Sequence, residues 1–207
     1  MLTLHIRDSV YEPNQPIEHV YFPVQGVISL VKVMADGTSI ETATVGKEGC
    51  VGLPLFLGTD RTPFKAFCQI PGAAFRLKAD RFREEVGQGR ALHDLLLRYT
   101  LAILTQIAQS AACNRLHSMK QRCARWLLLC HDRMRTDEFL LTHEFLSEML
   151  GVRRASVTVA AGHLQEEGLI RYNRGRVTVV DRQGLETAAC ECYRIIQGEF
   201  DRLIGSH

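Results

Sequence analysis

The spacing of apolar residues changes period along this chain, and each change marks a different kind of element. Over roughly the first eighty residues the apolar runs are short and broken by turn residues. Residues 20–23 (VYFP) and 27–34 (VISLVKVM) read as strands, the first closed by Pro23 and separated from the second by Gly26. Asp36-Gly37 is a two-residue hairpin signal between residues 32–34 and 39–41. Gly46, Gly49, Gly52 and Gly58 follow, then strand candidates at 66–70 (AFCQI) and 74–77 (AFRL), split by Pro71-Gly72. Short strands punctuated this often predict an antiparallel sandwich or barrel, a jelly-roll-like β-roll.

From about Arg90 the period becomes helical. Leu92, Leu96, Tyr99, Ile103, Ile107 and Ser110 lie along one side of a helix. Leu97, Leu101, Leu104, Ala108 and Ala111 form a second stripe, and only Asp94, Arg98, Thr105 and Gln109 leave a polar strip. A surface helix needs one apolar stripe, so this one buries two sides. One side would meet the β-roll. The other, through Leu97, Leu101, Leu104 and Ala108, would meet the same helix of a second copy. The helix should stop between Asn114 and His117, where Ser118 and Gln121 form a capping box for a new helix running to about Met134. The break divides the chain into a β-roll (1–89), a dimerisation helix and hinge (90–116) and a C-terminal domain (117–207).

Within that domain, LTHEFLSEMLGVRRASVTVAAGHLQEEGLI (141–170) reads as a helix, a tight turn at Gly151 and a second helix stopped by Gly168. Leu146 and Leu150 precede the turn, Val152 plugs the corner, and Val157, Ala160, Ala161 and Leu164 follow. Two steeply crossing helices with a flexible turn residue and an apolar plug are the pattern of a DNA-binding helix-turn-helix. Next comes IRYNRGRVTVVD, alternating around Asn173-Arg174-Gly175, which reads as a β-hairpin wing. Arg171, Arg174 and Arg176 sit near its tip, and cations there suit phosphate contacts. The outward face of the second helix would be Ala155, Thr158, Val159 and Gly162, flanked by Arg154 and Ser156. Arg154 would read a guanine, Thr158 and Val159 would offer methyl groups to thymine, and Arg153 and Ser156 would hold phosphates. Residues 181–204 predict one further helix, with Leu185, Ala188, Ala189, Cys192, Ile195, Ile196 and Phe200 on its apolar side.

Composition adds limits. The formal net charge is only +2, and residues 1–117 carry 12 Lys and Arg against 11 Asp and Glu while residues 118–207 carry 13 against 12. The basic signal is therefore local, at Arg153, Arg154 and the hairpin. Seven cysteines (Cys50, Cys68, Cys113, Cys123, Cys130, Cys190, Cys192) include no C-x-x-C pair, so no metal site or iron–sulfur set is expected. Cys190 and Cys192, two apart on a predicted helix, would not share a face. Neither a signal peptide nor an apolar run of membrane-spanning length is present, which points to a reducing cytoplasm. No GxSxG, HExxH, P-loop or dinucleotide fingerprint occurs, so no enzyme is expected.

A β-roll, a long dimer helix, a hinge and a C-terminal winged helix, in that order, resemble the Crp/Fnr family of bacterial transcription regulators. EHVYFPVQGVISL in the roll, the helix-turn-helix stretch and the hairpin carry the likeness. It implies an α+β fold and a homodimer reading a pseudo-palindromic site on double-stranded DNA, with RNA polymerase as a further partner. Members that bind cyclic nucleotides hold the ribose with a glycine-flanked Glu and the cyclic phosphate with a later Arg. The corresponding stretch, VGKEGCVGLPLFLGTDRTPFKAF, offers Glu48 and then only Arg61 and Lys65 from a predicted loop, so a cyclic nucleotide is not expected. The N-terminal cysteines of oxygen-sensing members are missing, which argues against an iron–sulfur cluster. His5 and His19 are isolated histidines, more often structural than haem ligands. The effector is thus left unassigned. Where family members place Glu and Arg on the recognition helix, this chain has Ala155 and Val159. That small face suits a rival reading, a small-molecule-binding or protein-interaction module that keeps the fold without binding DNA.

Overall fold

The computed structural model describes residues 1–134 and 136–205. Its N-terminal part holds β1 (Leu2–Leu4), β2 (Ser9–Tyr11), β3 (His19–Val33), β4 (Ser39–Val45), a 3-10 turn at Leu53–Leu55, β5 (Phe64–Lys78) and α1 (Ala79–Gln88). Then come α2 (Arg90–Leu116) and α3 (Met119–His131), followed by β6 (Glu138–Leu140), α4 (His143–Leu150) and α5 (Arg154–Glu166). The chain closes with β7 (Ile170–Asn173), β8 (Arg176–Val179), α6 (Arg182–Ala188) and α7 (Cys192–Ile204).

The N-terminal sheet is antiparallel, in the order β1-β5-β3-β4 with β2 also paired to β5. The four strand candidates of the sequence are two long strands. Residues 20–23 and 27–34 belong to the 15-residue β3, and 66–70 and 74–77 to the 15-residue β5. Pro23, Gly26 and Pro71-Gly72 do not end these strands because both kink at the same level. Register shifts cluster between Pro23 and Ile28, and bulges of this kind bend a strand without ending its pairing. The backbones come so close there that a Cβ on Gly26 would lie 2.6 Å from the Ile70 carbonyl oxygen, and one on Gly72 2.0 Å from that of Gln25. Asp36-Gly37 does form a hairpin, although its loop has three residues: Met34 N–H donates to Thr38 O, and Gly37 takes φ 84°.

α2 lays Leu96, Tyr99, Ala102, Ile103, Gln106 and Ser110 inward. Tyr99 Oη donates to Cys50 O (2.9 Å), and Gln106 bonds Thr44 of β4. Leu97, Leu101, Leu104, Ala108 and Ala111 are exposed along the other side. Ser118 and Gln121 form the capping box that starts α3, which ends at His131, short of Met134.

The single C-terminal helix foreseen from the sequence is two helices, broken at residues 189–191. Leu185, Ile196 and Phe200 are buried as expected, but the break re-phases the second half and leaves Ile195 exposed. It also takes Cys190 out of helical geometry, which the one-helix reading of Cys190 and Cys192 did not allow. β1, β2, α1 and β6 had no sequence signal. Each strand among them has only three residues, too short for a period to show. Among the described residues, no helix is long and apolar enough to cross a membrane.

Candidate nucleic-acid interface

The helix-turn-helix is built from local rules. Thr142 Oγ1 accepts from Phe145 N–H and starts α4. Gly151 ends it at φ 62°, in the left-handed region that glycine adopts without steric cost. Val152 N–H then bonds Ser147 O, half-burying the Val152 side chain at the corner. Phe145, Leu146, Met149 and Leu150 of α4 are buried together with Val157, Ala160, Ala161 and Leu164 of α5. That buried set fixes the outward face of α5 as Ala155, Ser156, Thr158, Val159 and, half-buried, Gly162.

Each foreseen contact residue can now be placed. Arg153 is exposed at the N-cap of α5 and lines a groove against the β3–β4 hairpin, beside Ser39, Ile40 and Glu148. Arg154 is exposed, with Glu144 Oε2 3.7 Å from its guanidinium. Ser156 is exposed on the first turn. Thr158 is exposed but turned toward α4: its Oγ1 donates to Arg154 O (3.1 Å) and lies 3.0 Å from His143 Nδ1. Val159 is 58% exposed.

At the wing, Arg174 (φ 46°) and Gly175 (φ 77°) make the turn between β7 and β8, so Arg174 projects from the tip. Positive φ at both central residues matches the twist of the flanking strands. Arg176 is exposed but bonded to Glu138 Oε1 of β6 at 3.0 Å. The unforeseen third strand thus gives one wing arginine a carboxylate partner and leaves Arg174 and Arg171 as the freer cations. His143 also escaped the sequence reading. Its ring lies tilted at 51° against Tyr172 (centroids 4.3 Å), and burial, then the charge of Arg154, holds it below the usual histidine range. It stays neutral at pH 7 and orients Thr158 rather than adding charge.

The helical part is fastened to the sheet by polar contacts. Glu41 of β4 accepts from Trp126 Nε1 of α3 (2.8 Å) and from Ser29 Oγ (2.7 Å). Desolvation pushes its carboxyl up to about 7 against those two bonds. Arg133 is buried and donates to Glu48 Oε1 (2.7 Å), Thr44 Oγ1 (2.8 Å) and Leu129 O (2.7 Å). Gly46 N–H adds a further bond to Glu48 (3.0 Å).

These contacts decide the fit of a cyclic nucleotide. Glu48, the only candidate for the ribose, is committed to Arg133. Between the sheet and α2 lies a cavity of about 240 Å³, walled by Leu30, Val51, Leu53, Phe64, Ile103 and Ile107 among others. No Lys or Arg lines it among the described residues. Arg61 instead bonds Asn14 O (3.0 Å), and Lys65 pairs with Glu12 (3.0 Å). A phosphate there would lose water and gain no cation. These residues do not fit a cyclic nucleotide.

One cluster lay beyond any sequence signal. Cys113 and His117 at the end of α2 meet Cys190 and Cys192 at the α6–α7 break, with all four donor atoms within 4.8 Å of one another. The 72 residues between His117 and Cys190 hid this grouping.

The model of the Crp-like helix-turn-helix domain matches residues 121–188, and that of the cyclic nucleotide-binding domain matches residues 2–88. The global nitrogen regulator of Nostoc sp. strain PCC 7120 is 24% identical over 187 residues, covering 86% of this chain and 83% of its own length. FixK2 from Bradyrhizobium japonicum superposes with a TM-score of 0.77 at 18% identity, over 91% of this chain and 96% of that one. TTHB099 of Thermus thermophilus, described as a transcriptional regulator of the CRP family, gives 0.75 at 19% identity, with the same coverage. The fold matches along nearly the whole chain, while the nucleotide-binding label of the first domain is not matched by the chemistry of its cavity.

Proposed function

The chain belongs to the Crp/Fnr family of DNA-binding transcription regulators, and from that premise we propose that it works in the cytoplasm as a homodimer on an inverted repeat. The observation that carries the dimer is the exposed stripe on α2. Leu97 (52% exposed), Leu101 and Leu104 (59%) continue to Ala108 at alternating four- and three-residue steps, which is the seam of a two-stranded coiled coil. An unpaired leucine row on a 27-residue helix, about 40 Å long, would be a large apolar patch on a monomer. Pairing it two-fold would set two α5 helices to enter successive major grooves, about 34 Å apart.

In this reading Arg154 contacts a base edge, Val159 and Thr158 present methyl groups to thymine, and Arg153, Ser156 and Arg174 hold phosphates. The N-terminal sheet serves as the sensing part, for an effector other than a cyclic nucleotide. Two measurements test this. Sedimentation equilibrium of Leu101→Asp with Leu104→Asp should give the monomer mass, where the native chain gives the dimer. Selection from random duplexes should enrich an inverted repeat with the native chain, and Arg154→Ala should lose about 1–3 kcal/mol at one base pair of each half-site. A native chain that sediments as a monomer, or Arg154→Ala weakening all duplexes alike, would overturn the respective assignment.

A further inference from the structure

We propose that Cys113, His117, Cys190 and Cys192 form a tetrahedral zinc site that ties the end of the long helix α2 to the break between α6 and α7. The donors come from two places. Cys113 and His117 are four residues apart, so they share one face of the last turn of α2 and its C-cap. Cys190 lies in the α6–α7 connection and Cys192 opens α7, on either side of Glu191. The three sulfurs are buried and form a cluster separate from the main hydrophobic core.

The geometry is that of a metal centre slightly expanded. Zinc binds sulfur at about 2.3 Å and imidazole nitrogen at about 2.0–2.1 Å, which puts neighbouring donors of a tetrahedron roughly 3.4–3.8 Å apart. Cys113 Sγ and Cys190 Sγ are 3.4 Å apart, and Cys192 Sγ and His117 Nδ1 are 3.5 Å apart. The widest pair lies within 4.8 Å, so closure asks for shifts of about 1 Å, within reach of side-chain rotation. Three thiolates and an imidazole favour zinc over the hard cations, which take oxygen ligands.

The outer contacts point the same way. His117 Nε2 lies 3.2 Å from Glu191 Oε1, the carboxylate–histidine arrangement that leaves Nδ1 free to face a metal. Gln109 Nε2 donates to Cys192 Sγ at 3.1 Å, a bond that favours a thiolate. Charge supplies an independent argument. Arg122 (9% exposed) and Arg125 (5%) are buried on α3 close to the cysteines, and each has an Nε without a hydrogen-bond partner. Arg122 donates to Leu150 O (2.7 Å) and Arg125 to Ser110 Oγ (3.3 Å), but among the described residues neither forms an ion pair, and Glu41 acts on Arg125 only through its charge. Two buried guanidiniums beside neutral thiols are costly. Zinc with three thiolates and one neutral imidazole carries a net charge of −1 and supplies the missing anion. Binding sends three thiol protons to solvent and changes no oxidation state.

The site would clamp α7 onto α2 next to Ser118, where the chain turns from the long helix into α3. Metal would then stiffen the joint between the proposed dimer helix and the DNA-binding part.

The test uses the full-length chain, reduced and stripped of metal, titrated with Co²⁺ and then Zn²⁺. We expect one equivalent per chain, intense tetrahedral Co²⁺ bands with sulfur-to-metal charge transfer, and their bleaching by Zn²⁺. Cys190→Ser should weaken the charge-transfer band by about a third, since two of three thiolates remain, and Cys68→Ser, in the N-terminal sheet, should keep it in full. Glu191→Gln, exposed and outside the ligand set, should fold normally and weaken Zn²⁺ about 10-fold. Absence of tetrahedral bands in the reduced native chain would overturn the proposal, as would unchanged Zn²⁺ affinity in both Cys190→Ser and Glu191→Gln. Recovery of only a Cys113–Cys190 disulfide, with no metal taken up after reduction, would assign the cluster to redox chemistry instead and equally overturn it.

Discussion

The carboxyl of Glu41 should make the stability of this protein fall as pH rises through neutrality. Glu41 sits where β4 meets α3, bonded to Trp126 Nε1 and Ser29 Oγ, and desolvation lifts it from 4.5 to about 7. Between those values the folded chain holds a proton that the unfolded chain has released. Stability is therefore fully present below about 4.5 and is lost as pH rises through about 7. The full span corresponds to about 3 kcal/mol at most. Glu41→Gln removes the titration and keeps an acceptor for the indole. Urea unfolding of both chains at equal concentration, at pH 5, 6, 7 and 8, isolates the effect, because every other titrating group cancels in the difference. The variant should gain on the native chain by about 2–3 kcal/mol between pH 5 and pH 8. A difference independent of pH would refute the buried-carboxyl argument.

Three further outcomes follow from individual contacts. Glu48→Ala should cost about 3–5 kcal/mol in urea unfolding, because it leaves the buried Arg133 guanidinium without its counter-charge, and Arg133→Met with Glu48→Met should cost much less. Gly72→Ala should lower the melting temperature strongly, since its Cβ would meet Gln25 O at 2.0 Å. Gly162→Ala, whose Cβ meets open space on α5, should raise stability by up to about 1 kcal/mol. In DNA binding, Arg174→Ala should reduce the slope of log affinity against log salt by about 1, and Arg176→Ala, already paired to Glu138, by visibly less. Equal slopes for the two would show that Glu138 gives up Arg176 on binding.

The outward face of α5 was legible in the sequence because it follows from period alone. Burying Val157, Ala160, Ala161 and Leu164 leaves Ala155, Thr158 and Val159 outside whatever else the chain does. Pairing was not legible. Nothing near Arg176 in sequence announces Glu138, because β6 is a three-residue strand whose place depends on β8. Turn residues misled where two irregularities coincide. Pro23-Gly26 and Pro71-Gly72 look like strand ends singly, yet opposite one another they form one shared kink.

What the sequence by itself determined are the elements whose geometry is closed within a few residues. These are the 27-residue α2 with its two apolar sides, the Ser118–Gln121 box, the left-handed Gly151, and the Arg174-Gly175 turn. Each rests on helical or strand periodicity, a cap or a positive φ, and such preferences act through neighbours along the chain. Only the tertiary structure decided that Glu48 serves Arg133, that the cavity beneath α2 lacks a cation, and that Cys113 and His117 meet Cys190 and Cys192. Those partners are separated by more than seventy residues. They are joined because the apolar faces of α2, α3 and α7 find their lowest free energy packed together, and burial then leaves polar groups no water to turn to, only one another.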